Sequence, residues 1–383
     1  MRGHEPILPA LMRASSLLLA AALSVTAAAA HDNDKDRNKP KREPLVLEDQ
    51  GTFYVGGNVE FRSPASTTNP DDPRSQPGNW AFNQMFVEYQ VPANKKHKYP
   101  IVFLHGGGHT GQFYRTTPDG REGWYTSFTR RGFAVYALDA PNRGRAGWDP
   151  TKRMQATLGQ IAAADMEPTN IYTEQSAWTA FRWGPQYGVK YPNSQFPYEA
   201  MGEYLMQIQA AYRDPAQNPA IAADVGALID KIGPCILVGW STGTGNVLVG
   251  ATSSPQRIKN VKGIIGLEGF PPAAGNAPDP AKLAKIPFLG LLGDNMSPAD
   301  GQAYTDNLRS LGGNARTVFL PDVGMRGNGH TMALEKNNEK IADLIETWIE
   351  RNVERDGNDH DDDHGDGHGN GHGNGHGNGH GHH

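Results

Sequence analysis

Apolar and polar positions along the chain follow two different rhythms. Residues 51–62 and 83–92 alternate apolar with polar one by one, the pattern of half-buried antiparallel strands. From residue 99 onward the apolar positions come instead in short unbroken runs, at 99–105, 133–139, 235–240, 261–268, 286–294 and 315–321. Runs of that length without alternation fit strands covered on both faces, as in a parallel sheet. Between them, 121–131, 221–232, 246–252, 299–311 and 333–353 carry helical spacing, and Gly132 is placed to cap the first. The last of these puts Leu334, Ile341, Leu344, Ile345, Trp348 and Ile349 on one inner face. Strand, helix, strand in succession predicts right-handed crossovers and an α/β fold, a mostly parallel sheet with helices on both faces. Residues 141–218 break the rhythm: Trp148, Trp178, Phe181, Trp183, Phe196 and Tyr204 stand among many other aromatics without clear strand signals. This stretch is expected to be an inserted cap, with most of its aromatics packing a small core of its own and a few lining a pocket.

The two ends lie outside that pattern. Arg2 and Arg13 precede an alanine- and leucine-rich run that stops abruptly at His31-Asp32-Asn33-Asp34, so residues 1–30 are expected to be a signal peptide and the protein secreted or periplasmic. The run is too short and alanine-rich for a permanent span, so no stable membrane segment is expected after cleavage. Residues 31–48 are expected to be a charged linker, 49–354 one folded domain, and 355–383 a Gly/Asp/Asn/His tail without apolar residues to bury. Eight of the 14 histidines lie in that tail, six of them at four-residue intervals that include His360, His364, His368 and His372. Loose binding of a divalent metal there is the expectation, with no metal in the folded domain, because floppy glycine-spaced ligands fix no geometry. The formal charge of −5 and the lack of a basic patch interleaved with aromatics exclude a nucleic-acid partner. A single cysteine, Cys235 at the start of an apolar run, excludes an intrachain disulfide.

Chemistry centres on Gly239-Trp240-Ser241-Thr242-Gly243, which follows a buried run and precedes a small-residue helix. Strand, G-x-S-x-G, helix is the nucleophile-elbow pattern, in which glycines two before and two after the serine relieve clashes in a sharp turn. Ser241 is the candidate nucleophile. A serine hydroxyl needs a base and a group that orients the base. His330 follows the last strand in the loop Gly327-Asn328-Gly329-His330 and is the expected base, while His97, in a polar turn, is expected to be solvated. His105 is expected to order the glycine loop that follows it. Asp294 and Glu268 both end strands after the elbow, at the edge where such sheets build their sites. Position alone leans slightly toward Asp294. Thr242 N–H and an N–H of the loop His105-Gly106-Gly107-Gly108, with Gly107 first and Gly108 second, are the candidate oxyanion donors.

H-G-G-G, G-W-S-T-G and G-N-G-H in that order resemble the α/β-hydrolase superfamily. The segments 117–124, Pro141-Asn142-Arg143-Gly144-Arg145, Gly266-Leu267-Glu268-Gly269 and 326–332 look more narrowly like its secreted carboxylesterase branch with a Ser-Glu-His triad. The resemblance spans residues 50–353. It implies the α/β-hydrolase fold, Ser241 as nucleophile, His330 as base, Glu268 rather than Asp294 as acid, and Gly107 with Thr242 as the oxyanion hole. One departure is that members of that branch can carry adjacent cysteines where Gly107 and Gly108 stand here. The reading that follows is a secreted serine carboxylesterase, free of cofactors, acting on a small-molecule ester. Alternatives are another cofactor-free α/β-hydrolase (an amidase, lactonase or perhydrolase) or a non-catalytic hydrolase-fold binding protein, and a homodimer stays open.

Overall fold

Why the apolar runs do not alternate is visible in β3 (Ile101–Leu104). Ile101 and Phe103 point into one core, Val102 and Leu104 into another on the opposite face, so each residue is buried whichever way it points. The computed structural model describes residues 43–62, 76–212, 217–271 and 277–355. The expected signal peptide and histidine tail fall outside the described residues. In chain order the strands are β1 (Leu47–Arg62), β2 (Gly78–Pro92), β3, β4 (Val135–Asp139), β5 (Thr169–Asn170), β6 (Ala211–Tyr212), β7 (Cys235–Trp240), β8 (Val261–Leu267), β9 (Phe288–Leu292) and β10 (Ala315–Phe319). The helices are α1 (Trp124–Arg131), α2 (Thr151–Thr157), α3 (Glu174–Ala180), α4 (Met201–Gln207), α5 (Gln217–Ile232), α6 (Thr242–Thr252), α7 (Pro255–Asn260), α8 (Pro280–Leu283), α9 (Pro298–Ser310) and α10 (Asn338–Asn352).

Eight strands form one sheet in the order β1-β2-β4-β3-β7-β8-β9-β10. β1 and β2 pair antiparallel with each other, and β2 with β4; from β4 to β10 every pairing is parallel. The expected α/β architecture, with antiparallel strands first, is what the chain adopts. The order places β3 and β7 side by side at the centre, in register from Ile101–Ile236 to Leu104–Gly239. The two loops that leave them upward, 105–110 and the turn at Ser241, therefore emerge next to each other.

Three expectations need correction. The insertion's aromatics do not pack a core of their own: Trp178, Phe181, Trp183, Phe196 and Tyr204 are continuous with Phe103, Phe113 and Trp240 in the core under one sheet face. Trp148 and Tyr187 remain exposed. The closing helix starts at Asn338, not 333, because the side chains of Glu335 and Asn338 bond loop backbone at Gly329 and Ala333 instead of continuing a helix. His97 is not solvated: its side chain is 6% exposed, stacked at 3.5 Å on Phe133 and bonded to Glu354.

Candidate active site

Ser241 is the N-cap of α6 and stands at φ 54°, ψ −126°, a conformation that non-glycine residues avoid. Its neighbours show why this sequence makes the turn. A Cβ at Gly239 would lie 2.5 Å from the Thr244 Cα, and one at Gly243 2.5 Å from the His105 carbonyl oxygen. Only glycines at both places allow β7 to fold straight back into α6 while α6 packs on the end of β3. The Ser241 N–H bonds the Leu267 carbonyl at 2.9 Å, which ties the turn to β8. Thr242 begins the helix, where backbone N–H groups have no partner within the helix.

The glycine loop lies against this turn: a Cβ at Gly106 would be 2.9 Å from the Ser241 Cβ, whereas one at Gly107 would meet nothing within 4 Å. Gly107 thus borders open space beside the serine, and Gly108 takes φ +72°. Two buried histidines shape the loop. His105 Nδ1–H donates to the Gly106 carbonyl at 2.8 Å and its Nε2 accepts from the Ala140 N–H at 3.1 Å. His109 Nδ1–H donates to the Gly107 carbonyl at 2.9 Å and its Nε2 accepts from the Tyr204 hydroxyl at 3.0 Å. Burial pushes His105 down to about 4 and His109 down to about 3, so both rings are neutral structural groups at neutral pH. His105 orders the loop, as its place in the sequence predicts.

His330 sits in a loop that the insertion and the elbow hold from several sides. Its N–H donates to the Phe181 carbonyl at 2.9 Å. Its carbonyl accepts from Trp240 Nε1 at 2.6 Å, one residue before Ser241. Trp183 Nε1 bonds the next side chain, Thr331 Oγ1, at 3.1 Å. The glycines of G-N-G-H are explained by these approaches: a Cβ at Gly329 would lie 2.7 Å from the Phe181 carbonyl, and Gly327, at φ +85°, abuts the Asn193 carbonyl. Glu335 completes the loop, accepting from the Gly329 N–H at 2.8 Å and from Asn328 Nδ2 at 2.6 Å. Burial raises its carboxyl to about 7.

The two candidate acids end up in different places. Glu268 Oε2 lies 2.7 Å from His330 Nδ1, and Oε1 accepts from the Gly293 N–H at 2.7 Å. Asp294 Oδ1 accepts instead from the Asn328 N–H at 3.0 Å and shapes the loop from behind. Glu268 itself takes φ 47°. Two strained residues in one site, Ser241 and Glu268, each cost about 1–3 kcal/mol, which the surrounding hydrogen bonds must offset.

Arg182, which the sequence does not single out, joins this pair. Its guanidinium forms an ion pair with Glu268 Oε2 and comes within 2.8 Å of His330 Nδ1. Burial, then the Arg182 charge, pushes the His330 imidazole well below its ordinary value. The ring is neutral at neutral pH. Nδ1 faces a donor, Arg182, and an acceptor, Glu268; the carboxylate at 2.7 Å is satisfied by Nδ1–H, and in that tautomer Nε2 carries the free lone pair. Burial lowers Arg182 to about 10, still fully charged at neutral pH. Trp240, Phe181 and Glu335 are further supports that residue type alone did not reveal; only their fixed spacing from Ser241 and His330 could have flagged Trp240.

A cavity of about 440 Å³ opens at Ser241, Thr242 and Glu268. Its walls are apolar, Pro219 and Ala222 from α5, Val249 from α6, then Phe270 and Pro271, with Asn218 and Asn246 as polar groups. That size and lining suit a small organic ligand with an apolar end.

No family model matches the chain. Among solved structures, the chain is similar to a novel bacterial esterase known at atomic resolution, with a TM-score of 0.74, 32% identity, and coverage of 82% of this chain and 99% of the other. Among curated sequences it is similar to the probable secreted lipase phiG of Fungal sp. (strain ATCC 74256), 28% identical over 357 residues, covering 77% of this chain and 88% of the lipase. With this likeness, the eight-stranded sheet and the elbow between β7 and α6, the chain belongs to the α/β-hydrolase superfamily.

Proposed function

We propose that the protein is a secreted serine carboxylesterase. Ser241 Oγ attacks the ester carbonyl while His330 Nε2 takes its proton. The N–H groups of Gly107 and Thr242 receive the oxyanion, a contribution worth about 10²–10³ in kcat per donor. Collapse of the tetrahedral intermediate breaks the bond to the alkoxy oxygen, which leaves as the alcohol with the proton from Nε2. Water then adds to the acyl-enzyme, giving its proton to Nε2. The second collapse releases the carboxylic acid and returns the proton to Ser241. Glu268 holds His330 in the tautomer that keeps Nε2 free and stabilises the imidazolium.

The observation that carries this reading is the 2.7 Å approach of Glu268 to His330 Nδ1, on a loop whose carbonyl is bonded to the residue preceding Ser241. The apolar cavity at Ser241 supports esters with an apolar or aromatic group. Likeness to an esterase and to a probable secreted lipase supports both the ester bond and export. Among the described residues no helix is long and apolar enough to cross a membrane. Hydrolysis of p-nitrophenyl acetate and butyrate, followed from the first turnover, tests the proposal. Saturable turnover with an initial burst, abolished in Ser241→Ala, is the expected result; turnover that survives Ser241→Ala would refute the assigned nucleophile.

A further inference from the structure

His97 belongs to the turn between β2 and β3, yet it is held against α10 by groups some 250 positions along the chain. Its ring lies flat on Phe133, and Nδ1 is 2.8 Å from Glu354 Oε2. Nε2 faces Glu346 Oε1 at 3.4 Å, longer than a good N–H···O bond. One helical turn on, Glu350 brings a second carboxylate, and the ligand atoms of His97, Glu346 and Glu350 all lie within 4.8 Å of one another.

Nδ1 is turned to Glu354, which leaves Nε2 facing the oxygens of Glu346 and Glu350, and a cation placed between them would be held from three sides. The spacing suits one: tetrahedral Zn²⁺ with bonds of about 2.1 Å separates neighbouring ligand atoms by about 3.4 Å, the distance observed between His97 Nε2 and Glu346 Oε1. A carboxylate on the far nitrogen of a ligating histidine is the usual outer support of such a site, fixing the tautomer and raising ligand basicity. From α1, Arg131 packs a cation against the cluster. It pairs with Glu346 Oε2, as well as with Glu339 and Asp343, and leaves Glu346 Oε1 turned to His97.

We infer that His97, Glu346 and Glu350 bind a divalent cation of the zinc class, clasping the β2–β3 turn to α10, with Glu354 orienting His97. The site is independent of the Ser241 machinery. Water would supply the fourth ligand.

The experiment is a titration of the chelator-stripped full chain with ZnCl₂ against a chromophoric competitor, with thermal unfolding followed in parallel. The wild-type chain is expected to show one site at least tenfold tighter than the weaker tail sites, and a rise in midpoint with the first equivalent of Zn²⁺. Both effects should disappear in His97→Gln and in Glu350→Gln. Because Glu350 is exposed and its replacement is mild, that variant stays informative if His97→Gln fails to fold. A tight site and a midpoint rise that persist in Glu350→Gln would overturn the inference, as would a wild-type chain that shows only weak sites.

Discussion

Replacing Glu268 with Gln separates the two acids by mechanism as well as by position. The Gly293 N–H donates to Glu268 Oε1 at 2.7 Å, so in the variant the new amide's oxygen takes that place and its NH₂ turns toward His330 Nδ1. Donor then faces donor. The ring relieves the conflict by carrying its proton on Nε2, the nitrogen that accepts from Ser241 in the proposed mechanism. Loss of the correct tautomer lowers kcat by about 10⁴ in a serine triad, or about 5 kcal/mol of transition-state stabilisation. Asp294→Asn differs, because an amide oxygen still accepts from the Asn328 N–H that Asp294 now holds at 3.0 Å; the expected loss is less than about fivefold, since that bond is kept. The assay is kcat and kcat/KM on p-nitrophenyl butyrate, with circular dichroism to establish that both variants fold. A larger loss in Asp294→Asn than in Glu268→Gln would refute the reasoning.

Two further outcomes follow from the charges around this site and from a carboxylate far from it. Arg182→Met removes a cation that disfavours the His330 imidazolium, so the acid limb of the kcat/KM profile, expected below the ordinary histidine value of about 6.5, should move to higher pH; a limb that stays in place refutes the coupling. Asp224, buried between α5 and β1, is raised from 3.8 to about 7 by burial, against a single hydrogen bond from the Gly57 N–H. Its folded state holds the proton after the unfolded chain has released it, so stability is lost as pH rises from about 4 through 7; Asp224→Asn should raise the unfolding midpoint at pH 8 by about 2 °C or more, and an unchanged midpoint counts against it.

The parts of this protein that could be read from its sequence are those where backbone geometry leaves few choices. Gly239 and Gly243 mark the elbow because no side chain fits between β7, α6 and the end of β3. Cys235, Ile236, Leu237 and Val238 mark a central strand because both faces of the sheet are covered. What stayed hidden depends on partners distant in sequence. The turn around His97 is polar in composition, yet its histidine is buried by Phe133, Glu346 and Glu354. Arg182 sits among aromatics of the insertion, and nothing local says that its guanidinium reaches Glu268. Asp294 and Glu268 occupy equivalent strand ends. What distinguishes them is the backbone of Glu268 at φ 47°, which composition does not encode.

The Phe181 carbonyl that accepts the His330 N–H has a consequence for anyone who would re-engineer this protein. Insertions over a sheet are commonly treated as exchangeable modules, grafted from one scaffold to another to alter selectivity. Here residues 181–183 supply the peptide oxygen and the indole that hold the loop of His330, so a graft that ignores them would remove the support of the proposed proton acceptor. Diversity is better sought at Val249, Phe270 and Pro271, which border the cavity yet come from the elbow helix and from the loop after β8.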